Sequence, residues 1–316
     1  MKKKINNSFD IDNYVTHSDQ WSYLKVNYIY KKLYSKIKDL LENFFSIKIL
    51  KKKNYNLQED RISYLVSSNL KKRKILLLSK TLIPFLKKLK IYRNKSKLIK
   101  NIIDHEKIFY RNPIINNYGG IGFNNSLIMF LFFKEIKVDA IIESGVWKGY
   151  ISYLVDQIFK TNKVNKFKFD INFKNILYYS KSSKYCEHDI EEYNFNSKKL
   201  NLKKSCFIFD DHVSQLNRFE FCDNLKVGFI VFDDDINFET VHSDGWPAIP
   251  TISMIKDKFF LKKIKWINSG RVAKANFSHN FNKKKLNNYL IVKAPNLSFI
   301  TGYYVQSPMT FLIRVK

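Results

Sequence analysis

The feature that most constrains the fold is a series of short strand-like runs in residues 138–235, each ending in acidic residues. The runs are Val138 to Glu143, Lys166 to Asp170, a less regular run ending near Asp189, Ser205 to Asp211, and Gly228 to Asp235. Apolar residues recur at helical spacing between them, as from Tyr150 to Phe159. Strands alternating with helices imply βαβ units. We therefore predict an α/β fold with a doubly wound, mostly parallel sheet, joined by late strands over 289–292 and 310–315.

The N-terminal third differs from the rest in charge and pattern. Residues 1–100 carry 25 Lys and Arg against 7 Asp and Glu, whereas residues 101–316 carry 31 against 21. Apolar spacing predicts helices over 33–45 and 70–91, the second kinked or divided by Pro84. We predict a basic α-helical extension over 1–111 and the α/β domain over 112–316. The extension either packs on the domain through its apolar stripe or contacts an anionic surface or an acidic partner.

The composition excludes several classes of protein. With 45% hydrophobic and 16% aromatic residues, the chain is not a disordered basic tail. No apolar run approaches the roughly 18 to 20 residues of a membrane span, so we expect no transmembrane segment and a cytoplasmic location. Three cysteines without a C-x-x-C pair predict reduced, buried thiols. The net charge of +28 is typical of a protein that binds nucleic acid. The Lys- and Asn-rich composition expected from an AT-rich genome explains the same charge and is the preferred explanation, so nucleic acid is the less favoured partner.

Acidic residues at strand ends point to a binding edge. In open α/β sheets, ligands bind outside the carboxyl ends of the strands. Carboxylates crowded there repel one another unless a cation or a hydroxyl-rich ligand is present. The alternative is that these acids cap the helices that follow, and the pattern alone leaves both interpretations open.

The turn after the first predicted strand reads Glu143-x-Gly145-x-x-x-Gly149, and Asp170 ends the next strand. This pattern resembles the first motif of the class I S-adenosylmethionine-dependent methyltransferases and implies their Rossmann-like fold. In that family the glycine turn approaches the methionine moiety, the acid after the second strand holds the ribose, and a further acid lies near the adenine. The resemblance implies S-adenosylmethionine as cofactor, with binding residues Glu143, Gly145, Trp147, Gly149, Asp170 and Asp189.

The later strand ends, Phe209 to Leu216 and Val231 to Asp235, resemble the branch with the cephalosporin hydroxylase-like and rhamnosyl O-methyltransferase-like proteins. This resemblance implies a divalent cation such as Mg²⁺ on Asp211, Asp233 and Asp234, with Asp211 and His212 catalytic and His212 a candidate base. Asp210 can take the place of Asp211, because the pattern does not establish the register. The segment after the fourth strand reads Asp210-Asp-His-Val213 and lacks the Asn/Asp-Pro-Pro-Tyr/Phe signature of amino-methylating nucleic-acid enzymes, which argues against base methylation.

Three functions follow in order of preference. The first is an S-adenosylmethionine-dependent O-methyltransferase-like enzyme for a small-molecule or glycan acceptor, assisted by a divalent metal. The second is a non-catalytic Rossmann-like binding or scaffold protein that works through its basic arm, an alternative motivated by the bulky Trp147 in the turn. The third is a nucleic-acid-binding protein.

Overall fold

The structure is a computed structural model. It describes residues 68–114, 117, 119–160, 163–195, 200–237, 250–256, 263–268, 271–276, 282–303 and 306–316. The helix predicted over 33–45, and with it most of the basic extension, lies outside the described residues.

The described elements follow the predicted alternation. The helices are α1 (Ser68–Lys88), α2 (Lys95–Tyr110), α3 (Phe123–Glu135), α4 (Tyr150–Ile158), α5 (Gln215–Asn224), α6 (Ile252–Lys256) and α7 (Ser298–Thr301). The strands are β1 (Ala140–Ser144), β2 (Asn165–Phe169), β3 (Lys184–Cys186), β4 (Ser205–Phe209), β5 (Phe229–Phe232), β6 (Lys263–Asn268), β7 (Arg271–Asn276), β8 (Tyr289–Lys293) and β9 (Thr310–Arg314). The hairpin of β6 and β7 was not predicted from the sequence.

A seven-stranded sheet in the order β3-β2-β1-β4-β5-β9-β8 organises the domain. Strands β1 to β5 pair in parallel, and β9 is antiparallel to both β5 and β8. The predicted Rossmann-like α/β fold with a mostly parallel sheet is thereby confirmed. Strand order reverses between β1 and β4, because the chain proceeds from β1 toward β3 on one side and from β4 toward β5 on the other.

Successive residues of the central strands alternate between two apolar cores, one on each face of the sheet. Ile141 and Ile208 face the first core, which α1, α2, α3 and α4 cover. Their neighbours Ile142 and Phe207 face the second core, to which α5 and α6 contribute. Helices therefore cover both faces of the sheet.

The described part of the basic extension belongs to the first core. Leu82 and Phe85 of α1 are buried there, and the Phe85 ring lies 5.5 Å from the ring of Phe311 in β9. Helix α1 continues through Pro84. Of the two predicted outcomes, a kink or a division of the helix, the division is therefore wrong. The boundary at residues 111 and 112 stays a prediction.

The structure bears on two expectations drawn from composition, which concern the cysteines and membrane-spanning helices. Cys186, Cys206 and Cys222 are free and buried, and burial raises the pKa of each thiol. In the part of the chain that the structure describes, no helix has the length and apolar character needed to cross a membrane.

Candidate active site at the carboxyl edge of the sheet

The turn between β1 and α4 depends on its two glycines. Gly145 has φ +84°, and a Cβ built on it would lie 2.1 Å from the backbone oxygen of Asp210. Gly149 has φ +87°, and its Cβ would lie 2.4 Å from the backbone oxygen of Tyr178. Both positions therefore need glycine for conformation and for space. The neighbour that approaches Gly149 is the segment after β2.

Asp170, at the end of β2, supports this turn directly. Its Oδ2 accepts hydrogen bonds from the backbone nitrogens of Val146 at 2.8 Å and Trp147 at 3.3 Å. Its Oδ1 accepts one from Asn172 N at 3.3 Å. Trp147 has φ +47° and a partly exposed side chain. The predicted ribose-binding acid thus lies beside the glycine turn and holds its backbone in place.

Glu143 is directed into the interior instead of toward the edge. Its side chain is fully buried, with Oε2 2.5 Å from Lys168 Nζ and 2.9 Å from Ser152 Oγ. Burial raises the pKa of Glu143, and Lys168 counteracts that shift. The structure therefore places this predicted cofactor residue in a buried ion pair. The sequence signal was Lys168 itself, a lysine between the two phenylalanines of β2.

Arg218 of α5 binds three carboxylates, and sequence reasoning missed it. Its guanidinium, 2% exposed, lies 2.6 Å from Asp189 Oδ2, 2.8 Å from Glu191 Oε1 and 3.0 Å from Asp211 Oδ2. Hydrogen bonds from Arg218 hold the pKa of Asp189 below its usual value, whereas burial raises the pKa of Asp211. Asp189 Oδ1 also accepts a hydrogen bond from Glu191 N. This is the contact that a capping residue makes at the start of a helix.

Asp210, His212 and Asp234 come together at the ends of β4 and β5. Each offers one ligand atom, and these atoms lie within 4.8 Å of one another. His212 Nε2 is 3.2 Å from Asp234 Oδ2, and this hydrogen bond is the main reason that the pKa of His212 is raised to about 9. The contact with Asp234 therefore favours the protonated imidazole at neutral pH, and the role of His212 as a base stays a prediction.

Asp233 lies below this cluster and faces α3. Its Oδ1 accepts hydrogen bonds from Asn125 Nδ2 at 3.0 Å and from Ser307 Oγ. Burial raises the pKa of Asp233 to about 7, and the charge of Asp234 adds to the effect. Burial, with the nearby charge of Asp233, also raises the pKa of Asp210. The edge holds more negative charge than its local partners neutralise.

The metal set implied by the resemblance is only partly brought together. Asp234 lies in the cluster, Asp211 contacts Arg218, and Asp233 faces α3. Of the two registers left open by the sequence, the structure groups Asp210 with His212 and Asp234. Asp211 Oδ2 instead accepts hydrogen bonds from Arg218 Nε and from Ser144 Oγ of β1.

The glycine turn and the cluster of Asp210, His212 and Asp234 are direct neighbours. The close approach of Gly145 to the Asp210 carbonyl joins the turn after β1 to the loop after β4. These are the two strands between which strand order reverses. Ligands of open α/β sheets bind at such a switch point, so the geometry marks this place as the candidate active site.

Comparisons with known proteins place the chain beside methyltransferases at low similarity. A SAM-dependent O-methyltransferase from Thermotoga maritima is 12% identical over 68% of this chain and 71% of that one, with a TM-score of 0.33. The plantazolicin methyltransferase BpumL, solved in complex with SAH, is 15% identical over 78% and 99%, with a TM-score of 0.32. The CurJ carbon methyltransferase is 12% identical over 92% and 82%, with a TM-score of 0.35.

No protein-family model matches the chain, and no curated protein matches it. The branch with the cephalosporin hydroxylase-like proteins stays a prediction. Likenesses this distant carry no conclusion about activity, which has to be drawn from the residues of this chain.

Proposed function

We propose that the chain is an S-adenosylmethionine-dependent O-methyltransferase-like enzyme for a sugar or another small hydroxylated acceptor, assisted by a divalent cation. One observation carries the proposal: the glycine turn after β1 and the acid–histidine cluster after β4 and β5 adjoin each other at the switch point. A cofactor at the turn and an acceptor at the cluster would then be neighbours. Methyl transfer needs little more than this alignment, because it is an in-line displacement.

The residues present fit the cofactor in part. Asp170 is half-buried beside the turn, where it would hold ribose hydroxyls, and Gly145 keeps the turn free of a side chain. Glu143 and Asp189 are committed to Lys168 and Arg218, so we assign them supporting roles behind the site. When bound, S-adenosylmethionine supplies an electrophilic methyl group on a sulfonium.

The donor set of the cluster fits a divalent cation. Two carboxylates and one imidazole, from Asp210, Asp234 and His212, can converge on one ion. Carboxylates suit Mg²⁺ and Mn²⁺, while an imidazole favours transition metals, so we propose Mn²⁺ ahead of Mg²⁺. A bound divalent cation lowers the pKa of a coordinated hydroxyl. His212 is then proposed as a ligand, for which its imidazole has to release a proton when the cation binds.

Isothermal titration calorimetry of the full chain with S-adenosylhomocysteine is the direct measurement. We expect binding, and we expect Asp170→Ala to weaken it by at least about tenfold, since each lost charge-assisted hydrogen bond to a ligand costs about 1.5–3 kcal/mol. Asp139→Ala is the matched control, because Asp139 is an exposed acid at the opposite end of β1. A folded wild-type protein that binds neither this compound nor S-adenosylmethionine would overturn the proposal.

The cation is measured separately, by electron paramagnetic resonance of added Mn²⁺. We expect one bound ion per chain, lost in Asp234→Asn and in His212→Ala but retained in Asp211→Asn, whose carboxylate contacts Arg218. If Mn²⁺ still binds after Asp234→Asn and after His212→Ala, the cation is no longer part of the proposal. Cofactor binding is tested separately, by the calorimetry.

The second candidate function is a non-catalytic binding or scaffold protein of the same fold. The ion pairs of Glu143 with Lys168 and of Asp189 with Arg218 favour it, since two of the three predicted cofactor acids are thereby occupied by other side chains. Thermal unfolding with and without S-adenosylmethionine separates the two candidates. The scaffold requires no shift of the unfolding temperature, whereas the enzyme requires an increase that grows with ligand concentration.

A further inference from the structure

The outer face of α1 carries basic and apolar side chains together. Leu76 and Leu77 are 44% and 43% exposed, and Arg73 and Lys80 are exposed beside them. Residues three and four apart share one side of a helix, so these four side chains form one continuous face. The opposite side of α1, with Leu82, is buried in the first core. The exposed leucines are therefore not needed to attach the helix to the sheet.

This face belongs to a segment that has no negative charge. Residues 68–100 contain twelve Lys and Arg and no Asp or Glu. Arg93 and Lys97 lie 3.6 and 2.9 Å from Glu135, but Arg73 and Lys80 have no carboxylate of the described structure within salt-bridge distance. The positive charge of the outer face is thus available to an external anion.

An exposed aromatic side chain lies on α7, the short helix that contacts α1. Phe299 of α7 is 93% exposed, while Ser298 and Thr301 of the same short helix are buried. Helix α7 is attached to α1, since Lys74 Nζ donates a hydrogen bond to the Thr301 carbonyl at 3.1 Å. The phenylalanine therefore lies on the element that adjoins the basic helix.

We propose that the basic apolar face, defined as Arg73, Leu76, Leu77, Lys80 and Phe299, binds the surface of a bilayer that contains anionic lipid. Lysine and arginine attract acidic head groups, and leucine and phenylalanine gain free energy by entering the boundary with the acyl chains. A nucleic acid would use the charges but leave the three apolar side chains in water. The contact is peripheral, because none of the described helices is apolar and long enough to span a membrane.

Co-sedimentation of the full chain with vesicles tests this face. Phosphatidylcholine vesicles are compared with vesicles of phosphatidylcholine and phosphatidylglycerol, and we expect binding to the anionic vesicles only. Arg73→Gln with Lys80→Gln should weaken that binding on the order of tenfold or more. Leu76→Gln, Leu77→Gln and Phe299→Gln together should weaken it on the order of a hundredfold. Glutamine keeps helix propensity at positions 76 and 77, and circular dichroism verifies the fold of each variant.

The matched control is Val315→Ser with Lys203→Gln, which removes one exposed apolar and one exposed basic side chain elsewhere on the surface. Unchanged vesicle binding in this control supports the proposal. Three results overturn it: no binding to anionic vesicles, equal binding to neutral vesicles, or binding that the apolar substitutions leave intact. The last result, accompanied by tighter binding to RNA, would assign the face to a nucleic acid.

Discussion

Acidification should destabilise the protein through His105, a histidine of α2 that is completely buried. Its Nε2 lies 2.8 Å from Ser126 Oγ, and the rings of Phe109, Phe123 and Phe130 surround it at centroid distances of 6.1, 5.0 and 5.6 Å. Burial lowers the pKa of His105 from 6.5 to about 3. The folded state therefore holds the neutral ring, whereas the unfolded chain binds a proton below about pH 6.5.

The difference between the pKa of His105 in the folded state and in the unfolded chain determines the sign and the size of the effect on the free energy of unfolding. A group with a lowered pKa in the folded state contributes stability above its unfolded pKa and loses that contribution as pH falls toward the folded pKa. Between about pH 7.5 and about pH 5, the unfolded state gains about 2 kcal/mol from protonation of this one ring. Asp210 and Asp233, whose pKa values are raised, act in the opposite direction, so the wild-type pH dependence is a sum of both effects.

Comparison of variants isolates the histidine. The free energy of unfolding is measured by urea titration with tryptophan fluorescence at both pH values, for wild type and for His105→Gln and His105→Phe. The wild type should lose about 2 kcal/mol more than either variant, because all other groups cancel in the difference. Ser126→Ala is the control, since it removes the hydroxyl partner and leaves a titratable ring. Its pH dependence should match that of the wild type.

Equal losses in wild type and in both His105 variants would refute the reasoning. That result would mean that the folded protein protonates His105 as readily as the unfolded chain does. Loss of pH dependence in Ser126→Ala alone would instead assign the effect to the hydrogen bond.

Further predictions concern the turn and the two buried cations. Gly145→Ala should lower the free energy of unfolding by more than about 2 kcal/mol, because a positive φ costs about 1–2 kcal/mol and the new Cβ would lie 2.1 Å from a backbone oxygen. Arg218→Met should cost about 3–5 kcal/mol at neutral pH, mainly by leaving the largely buried carboxylate of Asp211 unpaired, and less near pH 4, where that carboxylate becomes protonated. Lys168→Met should cost a similar amount, about 3–5 kcal/mol, and adding Glu143→Leu should recover most of it. Urea titration measures all three.

Matched variants control these predictions. Gly302 also has a positive φ, but its Cβ would meet only Lys74 Nζ at 3.8 Å, so Gly302→Ala should cost the conformational part alone. Equal costs at both glycines would contradict the close approach of the two loops. For Lys168, a double substitution no more stable than the single one would show that the ion pair with Glu143 does not explain the loss.

Much of the fold was predictable from local pattern. The run from Val138 to Glu143 and the helical spacing from Tyr150 to Phe159 correspond to β1 and α4, because burial on both faces of a parallel sheet imposes apolar strands. The hairpin of β6 and β7 was missed, and its segments, Lys263–Asn268 and Arg271–Asn276, lack the continuous apolar run that marks β4 and β5.

The site was predictable in composition but not in pairing. The acids expected at strand ends lie at or near that edge, except for the inward-facing Glu143. Asp189 and Asp211, however, share Arg218, a residue with no signal beyond its place on an apolar helix face. His212 looked like a base because its ordinary pKa is near neutral. Its contact with Asp234 raises that pKa to about 9, and the contact joins loops after different strands.

The amino-acid sequence by itself determined the strand and helix order, the glycine turn and the concentration of acids at one edge. These depend on periodicity and on residues adjacent in the chain. Only the tertiary structure decided that Asp210 faces Asp234, that Glu143 is buried against Lys168, and that Leu76, Leu77 and Phe299 remain exposed. Such pairings join residues distant in the chain, and their energies arise from burial and charge that exist only after the strands and helices have packed.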